Sequence, residues 1–337
     1  MARINHSQIA VAAKVSRSTV SRALQNHPTL PETTRNRIQK LAREMGYRPN
    51  PLVSALMATR NNPRHLMGAT SLAVLTSWCP SKTTAPESTN RRILNGAKQR
   101  AEEMGFQFEE IWMDEPGIYG PRLNQILVNR GIVAVIFAPI PAHHPEIKLT
   151  WEHFSLAAFA PSKQIPILNQ ASHFHFRSCC MAIREILKLG YQRPALVMST
   201  DLPSHVYDQW IGGYYAAMSN LPKRNQIAPF YSKSLNPESL TKLCRDHRPD
   251  VILSNDILVY QWLNAANLQK NIAFANLDLH PEHEKMAGID QMHELIGRAV
   301  VDIVVAQFNR NERGIPEHPR DILIEGRWVA GPSVPPL

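Results

Sequence analysis

Two periodicities divide the chain. Over the first fifty residues apolar positions recur at helical spacing. "NHSQIAVAAKV" puts Ile9, Ala10, Ala13 and Val15 on one side of a helix. Asn5 is placed to cap it, and Gln8 three residues on suits a capping box. "KVS" makes a short turn. Ser16 is placed to cap the next helix, "RSTVSRAL", whose Val20 and Leu24 face inward at i and i+4 and leave Arg17, Ser18, Ser21 and Arg22 outward. "ETTRNRIQKLAREMG" predicts a third helix with Ile38, Leu41, Ala42 and Met45 as its stripe and Gly46 as its stop. Two short helices across a tight turn, with a third packed over them, form a helix-turn-helix domain.

From Thr70 onward the pattern alternates strand and helix. "SLAVLTSW", "FQFEEIWM", "IVAVIFAP", "RPALVMS", "DVILSND" and "IAFANLDL" read as strands. "STNRRILNGAKQRAEEMG" reads as a helix with Ile93, Leu94, Ala97, Ala101 and Met104 inward; "MAIREILKLG" and "HELIGRAVVDIVVAQF" are further helices. This order implies an α/β region of parallel sheets with helices on both faces. Between the two regions, "RPNPLVSALMATR" offers Asn50 as a cap and Pro51 at a first helical position. A helix of about two turns is marginal alone in water, so an ordinary linker with one buried leucine stays open as a reading. "RNNPRHLMG" reads as the boundary. The expected domains are a headpiece over 1–48, a hinge helix and linker over 49–68, and an α/β domain over 69–337. The tail "VPPL" is expected to fray.

Charge adds the partner. Residues 1–67 hold 11 Lys+Arg and 2 Asp+Glu, a net of +9. The whole chain holds 37 and 28, also +9, so residues 68–337 carry 26 of each. A solubilising tail could be this basic, but this segment is helically patterned and not low-complexity. Segregated charge on a folded segment points to a polyanion.

Other chemistry is sparse. Cys79, Cys179, Cys180 and Cys244 form no CxxC pair and read as reduced thiols of a cytoplasmic protein. No apolar run approaches the roughly 18 residues of a membrane span. "HFHF" puts His173 and His175 on one face of an extended segment, but a metal site takes three or four ligands, so no metal is assigned. No GxGxxG, P-loop or GxSxG elbow is present, so no cofactor and no catalytic residues are assigned. An α/β enzyme, or a small-molecule binder with an incidental basic arm, remains as the alternative.

"VSRSTVSRAL" followed by "GYRPNPLVSALMATR" resembles the LacI/GalR family of bacterial transcriptional regulators, over the whole chain and most specifically over residues 1–59. Three positions depart from the usual pattern: Lys14 stands in place of a turn glycine, Pro31 in place of a helix cap, and Val53 in place of a hinge alanine. The resemblance implies a cytoplasmic homodimer, most readily a repressor, on a near-palindromic double-stranded operator. It implies that Arg17, Ser18 and Arg22 read bases and that Ser16, Thr19, Ser21 and Asn26 hold phosphates. A hinge through Asn50, Ala55 and Leu56 would enter the minor groove, with Leu56 as the wedge. It also implies two lobes like those of periplasmic sugar-binding proteins, with a small-molecule effector in the cleft. Ligands of open α/β sheets lie at strand C-terminal ends. That rule selects Ser77, Trp78, Asn255, Asp256 and Asp278, although Asp256 could equally cap a helix. Trp210, in "YDQWIGGY", occupies the place of an arginine common in sugar-binding members. It could stack on a ring but cannot form a bidentate ion pair.

Overall fold

The computed structural model describes residues 4–24, 29–47, 70–78, 88–118, 121–141, 143–199, 204–233, 235–281 and 286–337. The hinge residues Asn50, Ala55 and Leu56, with Asn26 and Cys79, lie outside the described residues.

The headpiece forms from α1 (His6–Ala13), α2 (Arg17–Leu24) and α3 (Glu32–Glu44). The Asn5 side chain accepts from the Ser7 and Gln8 amides while Gln8 Oε1 accepts from the Asn5 amide, a complete capping box. Ser16 Oγ accepts from the Thr19 amide at 3.1 Å and caps α2. Pro31 begins α3 with no side-chain cap, and Gly46 ends it at φ 77°. Ile9, Ala10, Ala13, Val20, Ala23, Ile38 and Ala42 make the core. Ala23, at i+3 from Val20, is the buried partner; Leu24 is half-buried. Helix ends leave carbonyls without partners, and α3 supplies two donors to them. Arg37 Nη1 donates to the Ala13 carbonyl, and Gln39 Nε2 to that of Ala23.

The chain divides into two compact units, one of residues 1–83, 98–170 and 300–320 and one of 84–97, 171–299 and 321–337. The elements that follow the headpiece are β1 (Ser71–Thr76), α4 (Thr89–Glu103), β2 (Gln107–Trp112), α5 (Pro121–Asn129), β3 (Ile132–Phe137), β4 (Ser155–Ala158), β5 (Asn169–His173) and α6 (His175–Lys188). After these come β6 (Pro194–Ser199), α7 (Ser204–Met218), β7 (Phe230–Ser232), α8 (Pro237–His247), β8 (Val251–Ser254), α9 (Ile257–Ala265) and β9 (Ala273–Asn276). The last are β10 (Ala287–Asp290), α10 (His293–Asn309), β11 (Asp321–Ile324) and β12 (Arg327–Val329).

One six-stranded sheet runs β11-β5-β4-β3-β1-β2 and the other β12-β10-β9-β8-β6-β7. Pairing from β5 through β2 and from β10 through β7 is parallel; β12 is antiparallel to β10. Such strands are buried on both faces, which is why their sequences read as continuous apolar runs. In β6, Leu196 and Met198 face α6 and α7, while Ala195 and Val197 face α8 and α9. In the first sheet Leu75, Val135, Phe137 and Leu156 pack with Leu123 and Leu127 of α5.

Four expectations change. Met104 is 37% exposed rather than inward, because α4 ends at Glu103 and Met104 enters the turn to Gly105. His173 ends β5, but His175 already opens α6, so the two do not share an extended segment. The tail is docked: Val334 is buried, Tyr191 donates its hydroxyl proton to the Pro335 carbonyl, and the Leu337 amide donates to Leu189 O. Strands β4, β5, β7, β10, β11 and β12 are absent from the sequence reading; at three to five residues each they carry too little pattern.

Two glycine contacts shape the second unit. A Cβ on Gly96 would lie 2.1 Å from the Glu294 carbonyl oxygen, and one on Gly297 would lie 2.0 Å from that of Ile93. The second turn of α4 and the N-terminal turns of α10 therefore touch backbone to backbone. Likewise a Cβ on Gly213 would lie 2.4 Å from the Phe176 carbonyl oxygen, so α7 lies directly on α6.

Candidate nucleic-acid interface and ligand site

The outward face of α2 is built by its cap and its core. Val20 and Ala23 fix which side turns inward. Arg17, Ser18 and Arg22 are left exposed, and Thr19 and Ser21 half-buried. Ser16 is exposed, but its hydroxyl lies 2.7 Å from Ser18 Oγ and 2.8 Å from Thr19 Oγ1 besides capping the helix. A phosphate at Ser16 would share that oxygen with the cap. Guanidinium groups beside small hydroxyls on a helix face are suited to base edges and phosphates in a major groove.

A second cluster lies at the strand ends of the second unit. Ser254 of β8 pairs with Asn276 of β9, so Asn255 and Asp278 leave the same end of neighbouring strands. Asn276 Oδ1 accepts from the Asp278 amide at 2.9 Å and fixes that turn. The α4–α10 contact then brings the N-termini of both helices to Asp278. The Thr89 hydroxyl donates to Asp278 Oδ2 at 3.2 Å and lies 3.3 Å from His280 Nε2. His293 Nε2 lies 3.3 Å from Asp278 Oδ1, and His280 Nε2 3.6 Å from Oδ2. Behind His293, the rings of His173 and His175 meet edge to face at 4.8 Å.

Electrostatics follow from burial. Burial raises the Asp278 carboxyl pKa, but His280, His293 and Thr89 outweigh it and hold the pKa below the ordinary value. Burial lowers His293 despite the pull of Asp278. Burial, then His175 and His293, push His173 down to about 3. With His293 neutral at pH 7, its attraction to Asp278 is polar rather than a formal ion pair. Arg92 is committed elsewhere. It holds Glu294 through Nε at 2.8 Å and Nη2 at 2.9 Å, and it donates to the Leu279 carbonyl.

Several polar atoms here remain unmatched. Asn255 Oδ1 and His293 Nδ1 are buried without a hydrogen-bond partner, and Asp278 Oδ1 has only the misaligned contact to His293. Buried polar groups are normally satisfied, so unmatched ones at strand ends mark a place for a ligand. A cavity of about 580 Å³ lies in the first unit instead, between Met113–Ile118, the start of α5 and residues 144–150. None of the unmatched buried atoms lines it. The ligand reading therefore rests on the strand-end cluster.

The sequence-selected residues divide. Asn255 and Asp278 join this cluster. Asp256 caps α9, its carboxylate accepting from the Leu258 amide at 2.9 Å. Trp210 is 1% exposed and packs against His173 and His175, so its ring faces protein rather than open space. In the first unit, the Ser77 hydroxyl donates to the Pro139 carbonyl at 3.3 Å, and Trp78 Nε1 is buried without a partner. Thr89, His173, His175, His280 and His293 were not selected. The strand-end rule reaches His280, two residues past Asp278, and it would have reached His293 had β10 been read as a strand. No group of three or more His, Cys, Asp or Glu side chains among the described residues is arranged to hold a metal ion. No helix among them is long and apolar enough to cross a membrane.

A basic three-helix headpiece followed by two parallel α/β sheets with a polar strand-end site defines a DNA-binding regulator with a ligand-binding domain. Residues 7–50 match the family of "Bacterial regulatory proteins, lacI family". The HTH-type transcriptional regulator DegA of Bacillus subtilis (strain 168) is 23% identical over 273 residues, 77% of this chain and 76% of its own. The HTH-type transcriptional repressor CytR of Escherichia coli (strain K12) is 54% identical over 44 residues, 13% of each chain. The lac repressor dimer bound to operator and the anti-inducer ONPF superposes with a TM-score of 0.56 at 16% identity, covering 99% of this chain and 100% of that one. Over residues 7–50 the chain is thus similar to the lacI family of regulatory proteins, and over most of its length it is similar to DegA. These relatives are regulators, not enzymes.

Proposed function

We propose that the chain is a cytoplasmic repressor that binds a near-palindromic operator as a homodimer and changes its affinity when a small molecule binds. The observation that carries this reading is the exposed α2 face of Arg17, Ser18 and Arg22 on a segment holding all of the chain's excess charge. Arg17, Ser18 and Arg22 read bases; Ser16, Thr19, Ser21 and Asn26 hold phosphates. Asn50, Ala55 and Leu56 form the hinge in the minor groove between the half-sites. Residues 1–48, 49–68 and 69–337 act as headpiece, hinge and effector domain. DegA and CytR, named as regulator and repressor, support the direction of control.

On this reading the effector contacts include Asn255 and Asp278; Ser77 and Trp78 are also proposed as contacts. Asp256 acts through its helix cap. Trp210 acts by holding His173 and His175 in place.

The test is an anisotropy titration on an operator selected from genomic fragments and on random duplex. Arg22→Ala should cost about 1–3 kcal/mol on the operator and little on random DNA, as expected for a base-reading arginine. Equal losses on both would reduce Arg22 to a phosphate contact.

A further inference from the structure

The headpiece holds a polar pair that neither its core nor the base-reading face of α2 accounts for. His6 is the first residue of α1, and Tyr47 follows the end of α3. Although 41 positions apart, they meet through His6 Nε2 and the Tyr47 hydroxyl at 2.7 Å. The ring centroids lie 5.4 Å apart, with the planes tilted by 50°. Tyr47 packs on the headpiece core, yet both residues are only half-buried, so the pair also reaches solvent.

The charges near this pair are positive. Within α1 no other side chain titrates. From the turn after α3 the group that meets the imidazole is Tyr47. From α2 it is Arg17, near enough for its charge to act on the ring. Arg17 is exposed on the face proposed to read bases, so His6 and Tyr47 stand beside that face. Beyond the described ends of the headpiece, the nearest charged residues in sequence are Arg3 and Arg48, also cations. Burial, then the Arg17 charge, hold the His6 imidazole below the ordinary histidine value. The ring is therefore neutral at pH 7.5 in the protein alone.

A phosphate reverses that balance. Nε2 is engaged by Tyr47, which leaves Nδ1 as the ring nitrogen to face a ligand. A neutral imidazole carries one N–H, so only one of its nitrogens donates. If Nε2 donates to Tyr47, Nδ1 is an acceptor and repels a phosphate oxygen. If Nδ1 donates, Nε2 accepts and the Tyr47 hydroxyl proton is spent on the ring. The imidazolium removes this choice. Nε2 donates to Tyr47 Oη, the Tyr47 O–H turns away from the ring, and Nδ1–H meets the phosphate with a positive charge. A charge-assisted hydrogen bond is about twice as strong as a neutral one. The same phosphate offsets the repulsion from Arg17, and a negative neighbour favours the charged form of histidine.

We propose that His6 and Tyr47 form a contact to a DNA backbone phosphate beside α2, and that this contact takes up a proton as DNA binds. The inference rests on reading the headpiece as a DNA-binding domain. Protonation and binding are linked reciprocally, so DNA affinity rises as the pH falls. Because a phosphate carries no sequence information, the effect belongs to operator and random DNA alike.

The experiment uses the full chain, the selected operator and a random duplex, at one ionic strength, from about pH 8 to pH 6. Anisotropy reads affinity, and calorimetry near pH 7 in two buffers of different ionisation heat counts the protons taken up. The parent should tighten by about threefold or more on both duplexes across this range, with measurable proton uptake. His6→Gln keeps a hydrogen-bonding side chain that cannot take a charge, and it should flatten the pH dependence and abolish the uptake. Tyr47→Phe should reduce both, and it carries the comparison if His6→Gln folds poorly. An affinity level with pH in the parent, or a slope and an uptake that survive His6→Gln unchanged, overturns the inference. Equal affinity for operator and random duplex overturns the reading of α2 as sequence-specific, while the pH slopes still decide the role of His6. A chain that binds neither duplex overturns both together.

Discussion

Lys14 shows how one residue carries both a fold constraint and a cost. It closes α1 in the left-handed region at φ 55° and ψ 45°, and its amide bonds back to the Ala10 and Val11 carbonyls. A side chain in that region costs roughly 1–2 kcal/mol, which glycine avoids at some entropic expense in the unfolded chain. Lys14→Gly should therefore stabilise the headpiece by about 0.5–1 kcal/mol, read as a higher denaturant midpoint for the transition that reports on residues 4–47. A lower midpoint would mean that the aliphatic stem of Lys14 contributes more packing than the turn loses in strain. The turn itself was legible from sequence, because a capping box, a basic turn and a second cap follow one another within twelve residues. The buried Ala23 was not, because an alanine and a leucine one position apart differ in size more than in pattern.

At the scale of elements, the pairing of α4 with α10 builds the polar cluster around Asp278. Each helix was readable from its own apolar stripe. Their contact was not, since it joins residues such as Thr89 with Asp278 and Arg92 with Glu294, 189 and 202 positions apart. The histidines stayed hidden for the same reason: His293 gains its meaning only once the four-residue strand β10 delivers it beside β9. Asn255 and Asp278 could be placed at one sheet end because strand ends are a local signal, and the packing of Trp210 against His173 and His175 could not, because those neighbours are not local. The glycines at the contact make the arrangement testable. A methyl on Gly297 would meet the Ile93 backbone, which cannot turn aside as a side chain could. Gly297→Ala should cost about 1–3 kcal/mol of stability by forcing the helices apart. It should also weaken ligand binding, since Thr89 would be drawn away from Asp278. A variant that melts like the parent would show that the helices separate at little cost.

Across the whole molecule the two halves of the chain carry different chemistry. The first fifth holds the excess positive charge, and the rest balances its charges and buries His173, His175 and His293. Burial gives the molecule a one-sided response to pH. His173, pushed down to about 3, and His293, lowered as well, are held neutral in the folded state. In the unfolded chain both take up a proton near the ordinary histidine value of about 6.5. Between those values the unfolded state binds more protons, so stability is complete above about pH 6.5 and declines as the pH falls. For His173 alone the loss from pH 6.5 to pH 5 is on the order of 2 kcal/mol. Asp278, whose carboxyl is also lowered, acts in the same direction but adds little over that range, because it is ionised in both states there. The full chain should therefore lose melting temperature steadily between pH 7 and pH 5, and His173→Gln should flatten that slope even if it lowers stability at pH 7. The same series followed by tryptophan fluorescence should show the same pH dependence, since Trp210, one of the chain's six tryptophans, packs against both His173 and His175. A melting temperature that is level from pH 7 to pH 5 in the parent would mean that the His173 cluster opens to water before it protonates.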